Sequence, residues 1–397
     1  MSEWPRHKLG ELCTRITVGH VGSMASRYAD TGIPFLRSLN IKRGRIDLSD
    51  VKYIDKEFHD ELAKSQLRPG DLAIVRTGEP GTTALIPEEM GPLNCSDIVI
   101  ATPRPDVDAR FLCYAINETA QDFVKAHTVG AVQQHFNVRS AKELTLNVPL
   151  LAQQQAISGL LGSLDDKIAV NERIAATARE LGLGLFSQAA AMGESVEVAV
   201  ATVSSTLTRG VAPKYSENSD DLVVLNQKCI RDGRVSLTPA RLTLRDKVKA
   251  PKLLVRNDVL VNSTGVGTLG RVARWTSGGE GTVDSHITIV RFDKSLVDPV
   301  CAGFAMLQIQ PEIEAMGEGS TGQTELRRAQ LGALQIILPS RARQAQLRPK
   351  LDALEERADQ ALAESAALAT LRDSLLPQLM SGRLRVRDAE KIVEDHV

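Results

Sequence analysis

Three groupings of side chains in this 397-residue sequence are able to do chemistry, and they point in different directions. The string Gly265-Val266-Gly267-Thr268-Leu269-Gly270 fits G-x-G-x-x-G, in which glycines let the backbone approach a pyrophosphate at a helix N-terminus. It follows a strand-like run, but the next residues, Arg271 to Gly281, read as strand and turn rather than helix. Asp165 and Lys167 form a D-x-K pair of the kind that places a carboxylate on a divalent ion beside a lysine in nucleases. Both lie in a stretch of helical period, where solvated charge is the ordinary explanation. No Walker loop, H-E-x-x-H, G-x-S-x-G or N-P-P-Y-like string occurs, so no metal site and no catalytic residue is assigned. A small-molecule enzyme or nuclease using the Gly265–Gly270 turn or the acidic helix is kept as the alternative function.

The third grouping is basic, amide and hydroxyl side chains clustered on turns, the types that contact phosphates and base edges of DNA. Arg37, Asn40, Lys42, Arg43 and Arg45 lie together, Arg76 and Thr77 precede Gly78, and Gln133, Gln134 and Arg139 flank His135. A second set has the same character: Asn226, Gln227, Lys228, Arg231 and Arg234; Asn262, Ser263 and Thr264; and Gln323, Thr324, Arg327 and Arg328. Taken alone, each is more simply a solvated loop residue, and His135 and His286 read as structural hydrogen-bonding histidines. Only as sets do they point to DNA.

The sets recur because the chain repeats itself. Phe35 to Ile46 (FLRSLNIKRGRI) aligns with Val224 to Val235 (VLNQKCIRDGRV), 189 residues on. Pro69 to Gly78 resembles Arg256 to Gly265 at an offset of 187, Ser96 corresponds to Ser285 at 189, and Pro149 to Pro339 at 190. In this alignment Gly78 to Thr83 (GEPGTT) occupies the place of the Gly265–Gly270 loop and lacks its pattern, which further weakens a dinucleotide site.

After Pro149 and Pro339 the sequence becomes Gly-poor and takes a helical period. A 4-3 spacing picks out Ile157, Leu161, Leu164, Ile168, Asn171, Ala175, Ala178, Gly182 and Leu185, then Leu347, Leu351, Leu354, Ala358, Ala361, Ser365, Leu368, Arg372 and Leu375. Two such helices can bury their apolar seams against each other, and two-fold pseudosymmetry makes the pair antiparallel. Asn171 on the seam is either a register device or a solvated amide at a splayed end. The expected fold is α+β: two pseudo-symmetric globular α/β domains separated by two long antiparallel helices forming a coiled coil. The divisions are 1–149, helix 150–191, 192–339, helix 340–381, and a tail 382–397 that resembles the start of a third repeat. The first helix would be about 60 Å long at about 1.5 Å per residue.

Hydrophobic residues make up 43% and charged residues 24%, ordinary for a globular protein, and no apolar run reaches bilayer length. No leader-like segment opens the chain, so a cytoplasmic location is expected. Five scattered cysteines, none in C-x-x-C spacing, read as reduced thiols rather than a disulfide frame or zinc site. A formal net charge of −1 means that any electrostatic attraction to nucleic acid is local.

The opening W-x-x-x-x-L-G-E-L (Trp4 to Leu12), LDDKIAVNERI (Leu164 to Ile174), Leu185-Phe186 and SLLPQLMSGRL (Ser374 to Leu384) occur in order with the repeat. Together they resemble the specificity subunits of Type I restriction-modification systems, over essentially the whole chain. Ser195 to Val203 departs from the pattern, lacking the Trp and the L-G-E string. The resemblance implies two target recognition domains, each reading one half of a bipartite site in double-stranded DNA, held apart by the helices. It implies two modification (methyltransferase) subunits that bind S-adenosylmethionine, and restriction subunits, where encoded, that use ATP and Mg. No cofactor is implied for this chain itself. An oligomerising structural protein with no DNA role is a further possibility; it predicts no salt-sensitive DNA binding.

Overall fold

A computed structural model describes residues 4–126, 136–276, 278–316 and 325–396. Five helices organise it: α1 (Ala109–Ala126), α2 (Leu151–Ala191), α3 (Pro299–Gln308), α4 (Arg341–Met380) and α5 (Val386–Glu394). The chain divides into two compact units, residues 1–169 with 365–397, and residues 170–364. The boundary falls inside both long helices, so each unit owns half of α2 and half of α4.

Unit 1 contains two four-stranded sheets. One runs Cys13–Val18, Ile98–Pro103, Leu72–Val75, Thr83–Leu85, all antiparallel. The other runs Lys52–Ile54, Ile33–Leu36, Leu93–Cys95, Gln66–Leu67, with its central pair parallel. Unit 2 repeats the first sheet strand for strand and keeps three strands of the second, where Tyr215–Ser216 adds an edge strand on the side opposite Gln66–Leu67. Its first sheet runs Ser204–Arg209, Ile287–Phe292, Val259–Asn262, Val272–Arg274. In its second, Leu222–Leu225 pairs in parallel with Gly281–Val283, as Ile33–Leu36 does with Leu93–Cys95. The central strands are buried on nearly every residue, which is why LAIV and VLVN read as continuous apolar runs rather than alternating ones.

The departure at Ser195 to Val203 leaves the architecture intact. Ser195–Ala199 pairs over five residues with Gln335–Pro339, a longer ladder than Arg6–Lys8 makes with Thr145–Asn147. Alternating β-branched residues hold that ladder without the tryptophan.

In unit 1, Ile157, Leu161 and Leu164 of α2 join Leu368, Leu375 and Leu379 of α4 in one core with Phe111, Ile116 and Phe136, and Ile168 packs at its edge. In unit 2, Leu347 and Leu351 of α4 share a core with Phe186, Val290 and Phe304, while Ala175 and Ala178 meet Ala358 and Leu354 in a thinner seam. In each unit the first half of one long helix packs with the second half of the other, an antiparallel pairing. The burial pattern over 171–180 is identical, residue for residue, to that over 361–370. Asn171 is fully buried and its Nδ2 donates to Glu364 Oε2 at 2.9 Å, so it is a paired amide inside the seam rather than a solvated one.

The tail differs from the expected third repeat. Where a repeat opens with a strand, residues 386–394 form α5, with Ala389 fully buried and Val386, Ile392 and Val393 packed on the unit 1 core. The apolar spacing is helical, and that period overrides the weak similarity to a repeat start.

Candidate nucleic-acid interface

Each unit brings its first two turn clusters together. In unit 1 a hairpin, Ile41–Lys42 with Arg45–Ile46, turns at Gly44, whose φ of 75° requires glycine. In unit 2 the equivalent hairpin turns on Asp232 and Gly233, both at positive φ (51° and 69°), the type I′ geometry that an Asp-Gly pair favours. Behind the first hairpin, Arg37, Lys42, Thr77, Glu79, Ser96 and Asp97 line an open groove of about 500 Å³. Arg76 and Asp97 form a short charged hydrogen bond, and Thr77 Oγ1 donates to the same carboxylate at 3.4 Å.

The repeat replaces Arg76 by Ser263 and Asp97 by His286. In unit 2, Gln227 Nε2 donates to Thr264 Oγ1 at 2.8 Å, and Thr264 Oγ1 lies 2.8 Å from His286 Nδ1. Ser285 and His286 are exposed there. One backbone frame therefore presents an Arg–carboxylate pair in unit 1 and a Gln–Thr–His chain in unit 2. The hydrogen-bonding faces differ while the strands beneath them do not.

The third cluster joins in the same way. Phe136 N donates to Arg76 O at 3.0 Å, and Leu326 N to Ser263 O at 2.8 Å, which ties Arg139 in one unit, and Arg327 and Arg328 in the other, to the second cluster. All three arginines are exposed. Gln133, Gln134, His135, Gln323 and Thr324 lie outside the described residues.

Several other candidates are occupied within the fold. Asn40, Asn262 and Ser263 have no exposed surface. Asn40 Oδ1 accepts from Arg37 N at 2.9 Å and its Nδ2 donates to Asp47 O at 2.9 Å, closing its own loop. Asn262 Nδ2 donates to Gln227 O and Thr268 O, and Ser263 Oγ is 2.6 Å from Thr288 Oγ1. Asn226 staples its turn through Lys228 N and Pro239 O. Arg37 is held by Asp50 at 3.0 Å and Arg43 by Glu118 of α1 at 2.8 Å; Arg45 also has a partner. Arg234 is spent on Asp359 of α4 at 3.1 Å, so the second hairpin's tip is anchored to the helix. Lys42 is half-buried, Lys228 exposed, and Arg231 exposed beside Asp232 at 3.8 Å.

Three cations not singled out from the sequence lie in unit 2, two of them beside Arg327 and Arg328. Arg209 Nη2 reaches Glu325 at 2.9 Å and Leu326 O at 2.8 Å, and Lys252 Nζ donates to Thr208 Oγ1 at 2.6 Å. The third, Arg274, is deep in the unit and has its Nη1 2.6 Å from Glu355 Oε2. Burial and then the Arg328 charge push the Lys252 ammonium below its usual range. These residues come from distant segments, so no local motif marks them.

The alternative sites fare differently. The Gly265–Gly270 loop leads into the strand Val272–Arg274, leaving no helix N-terminus for a pyrophosphate. Asp165 accepts from Tyr114 Oη in a short hydrogen bond and from Arg372 Nη1 at 2.6 Å, a structural use of that carboxylate. Among the described residues no group of three or more His, Cys, Asp or Glu is placed to hold a metal, and no helix is long and apolar enough to cross a membrane.

Fold and site together define a tandem α+β protein that presents two hydrogen-bonding faces of different chemistry on one repeated frame. Residues 1–179 match the family model described as the Type I restriction modification DNA specificity domain, in line with the resemblance in its motifs. It is 23% identical over 371 residues to the Type I restriction enzyme StySPI specificity subunit of Salmonella potsdam, covering 83% of this chain and 77% of that protein. It shares the fold of the Type I restriction-modification system S subunit from M. genitalium, with a TM-score of 0.58 and 15% identity over 95% of this chain and 96% of that one.

Proposed function

We propose that this chain is the non-catalytic DNA-reading subunit of a Type I restriction-modification complex. Each unit reads one half of an asymmetric, interrupted site in double-stranded DNA. The observation that carries the reading is the repeated frame with exchanged surface chemistry: a catalyst seldom needs the same fold twice with altered loops, whereas two readers of different bases do. In this reading residues 1–149 and 192–339 are the readers, helices 150–191 and 340–381 are the spacer, and 382–397 closes on the first reader. The DNA-contacting set, base and phosphate contacts together, narrows to the side chains with exposed surface, led by Lys42, Thr77 and Arg139 in one unit and Gln227, Lys228, Thr264, Arg327 and Arg328 in the other. Two adenine methyltransferase subunits dock on the helices and bring S-adenosylmethionine; restriction subunits, where encoded, bring ATP and Mg. The chain itself holds no cofactor and works in the cytoplasm.

A map of methylated adenines in host DNA, with and without the gene, tests this. Loss of one interrupted asymmetric motif on deletion is the expected result. A map that stays unchanged, even when the chain is co-expressed with the neighbouring methyltransferase, refutes it.

A further inference from the structure

The groove beside the second reading face carries a cationic site that the fold does not require. It is an open depression of about 590 Å³ lined by Thr208, Arg209, Lys252, Glu325, Arg327 and Arg328. Among the described residues its one acid, Glu325, is engaged by Arg209. Lys252 is held by neutral acceptors, Thr208 Oγ1 and Arg209 O. Arg327 and Arg328 are exposed and make no ion pair among the described residues. Like charges that share a groove repel unless an anion sits between them, and the Lys252 ammonium is lowered first by burial and then by the Arg328 charge.

Unit 1 supplies the control. Strand register and helix alignment place Val18, Ser65, Asn137 and Val138 where unit 2 has Arg209, Lys252, Arg327 and Arg328. The same frame thus folds with no charge at any of the four positions. The shared frame does not itself call for these cations, and they belong to one half of the molecule.

We infer that Lys252, Arg327 and Arg328 form a phosphodiester clamp for the backbone of the DNA half-site read by unit 2, a role that rests on the DNA-reading function proposed above. The groove adjoins the reading face directly: Arg209 Nη1 donates to Ser285 O at 3.2 Å, next to His286, and the bridge between Thr264 and Glu325 joins its rim. Ammonium and guanidinium groups there meet a phosphate while the neighbouring Gln–Thr–His chain meets a base edge.

The test uses the assembled complex with its methyltransferase and measures duplex binding by fluorescence anisotropy across a salt titration. Lys252→Gln with Arg328→Gln lowers the salt slope by about 1.8, at about 0.9 for each phosphate no longer neutralised. Affinity falls about 10-fold or more, equally for cognate and scrambled duplexes. Arg328→Gln alone, a surface change with no packing consequence, gives about half the slope change, and Lys56→Gln, exposed in unit 1, gives none. An unchanged slope in both groove variants, with wild type still preferring its cognate duplex, overturns the clamp and leaves the reading function standing. If wild type shows no duplex preference, the reading function itself falls. A loss confined to the cognate duplex assigns the groove to base readout instead. Thermal protection of the DNA-free complex by inorganic phosphate beyond an ionic-strength match, absent from the double variant, makes the ligand a free phosphate and also overturns the clamp.

Discussion

Replacing Arg274 by Met should destabilise unit 2 by about 3–5 kcal/mol at pH 7, and the loss should shrink as the pH falls. Arg274 is 2% exposed, and its stem lies against Gly303, which leaves no room for a Cβ. Its guanidinium donates to Asn257 Oδ1 at 2.8 Å, sits 5.3 Å from the centre of the Phe304 ring, and pairs with Glu355. Burial raises the Glu355 carboxyl above its usual range even with the arginine present. Without the arginine, Glu355 escapes by taking up a proton, and holding a carboxyl of ordinary pKa near 4.5 protonated at pH 7 costs about 3.4 kcal/mol. That value caps the stranded-charge penalty; the lost hydrogen bond and ring contact add about 1–2 kcal/mol. A folded-state pKa above the unfolded one stabilises below the unfolded value and loses that contribution as pH rises through the folded value. The Arg274→Met loss should therefore fall by about 1.4 kcal/mol for each pH unit between about 7 and 5. Glu355→Gln behaves differently, because arginine has no comparable escape: its loss should be at least as large and should not shrink as the pH falls. Arg274→Met with Glu355→Leu should recover most of the stability. Urea unfolding read by Trp275, the single tryptophan left after Trp4→Phe, follows unit 2 directly. A loss under about 1 kcal/mol, a loss that does not vary with pH, or a double variant no better than either single one refutes the reasoning.

Gly233→Ala should cost more than Gly44→Ala. Both sit at positive φ, but a Cβ at 233 meets the Arg179 guanidinium at 2.6 Å whereas 44 faces open space, so about 2 kcal/mol against about 1 is expected in thermal unfolding. Removing two heptads from both α2 and α4 should change the length of the unread spacer in the methylated motif and leave both half-sites intact; altered half-sites with the old spacer would refute the proposal that the helices set the separation of the half-sites. Exchanging residues 1–149 for the first domain of another family member should change one half-site in the methylation map; a change in both means that the domains do not read independently.

The frame was legible because it repeats. An offset near 189 survives every exchange of side chain, and the switch from Gly-punctuated, strand-like sequence to a helical period after Pro149 and Pro339 marks where α2 and α4 begin. Exposure was not legible. Asn40 and Lys42 are two residues apart on one turn, yet the amide is folded into its own loop while the lysine lines the groove. Which of them faces out is decided by Asp47 and by strands some 40 residues away in sequence. Arg209 and Lys252 escaped notice for the same reason: they meet Arg327 only once three separate segments are folded.

The repeat also poses one problem and solves it twice. Asp165 and Glu355 occupy equivalent positions 190 residues apart, each a carboxylate turned toward the core of its own unit. In unit 1 the partners are Tyr114 of α1 and Arg372 of α4. In unit 2 the place of Tyr114 is taken by Phe304 and that of Arg372 by Gly182, where a Cβ would press on the Phe304 ring at 2.9 Å. Both original partners are therefore gone. The compensating cation enters from the sheet instead, as Arg274, whose strand counterpart in unit 1 is Leu85. A carboxylate left unpaired at this depth costs about 3 kcal/mol or more, so losing one set of partners without gaining the other would weaken the domain. It follows that Arg274→Leu, which restores the unit 1 residue at that position, should destabilise unit 2. In urea unfolding, adding Phe304→Tyr should recover part of that loss and no more, because Gly182 leaves no arginine on the helix side to complete the pair; no recovery would refute the equivalence of the two carboxylate sites.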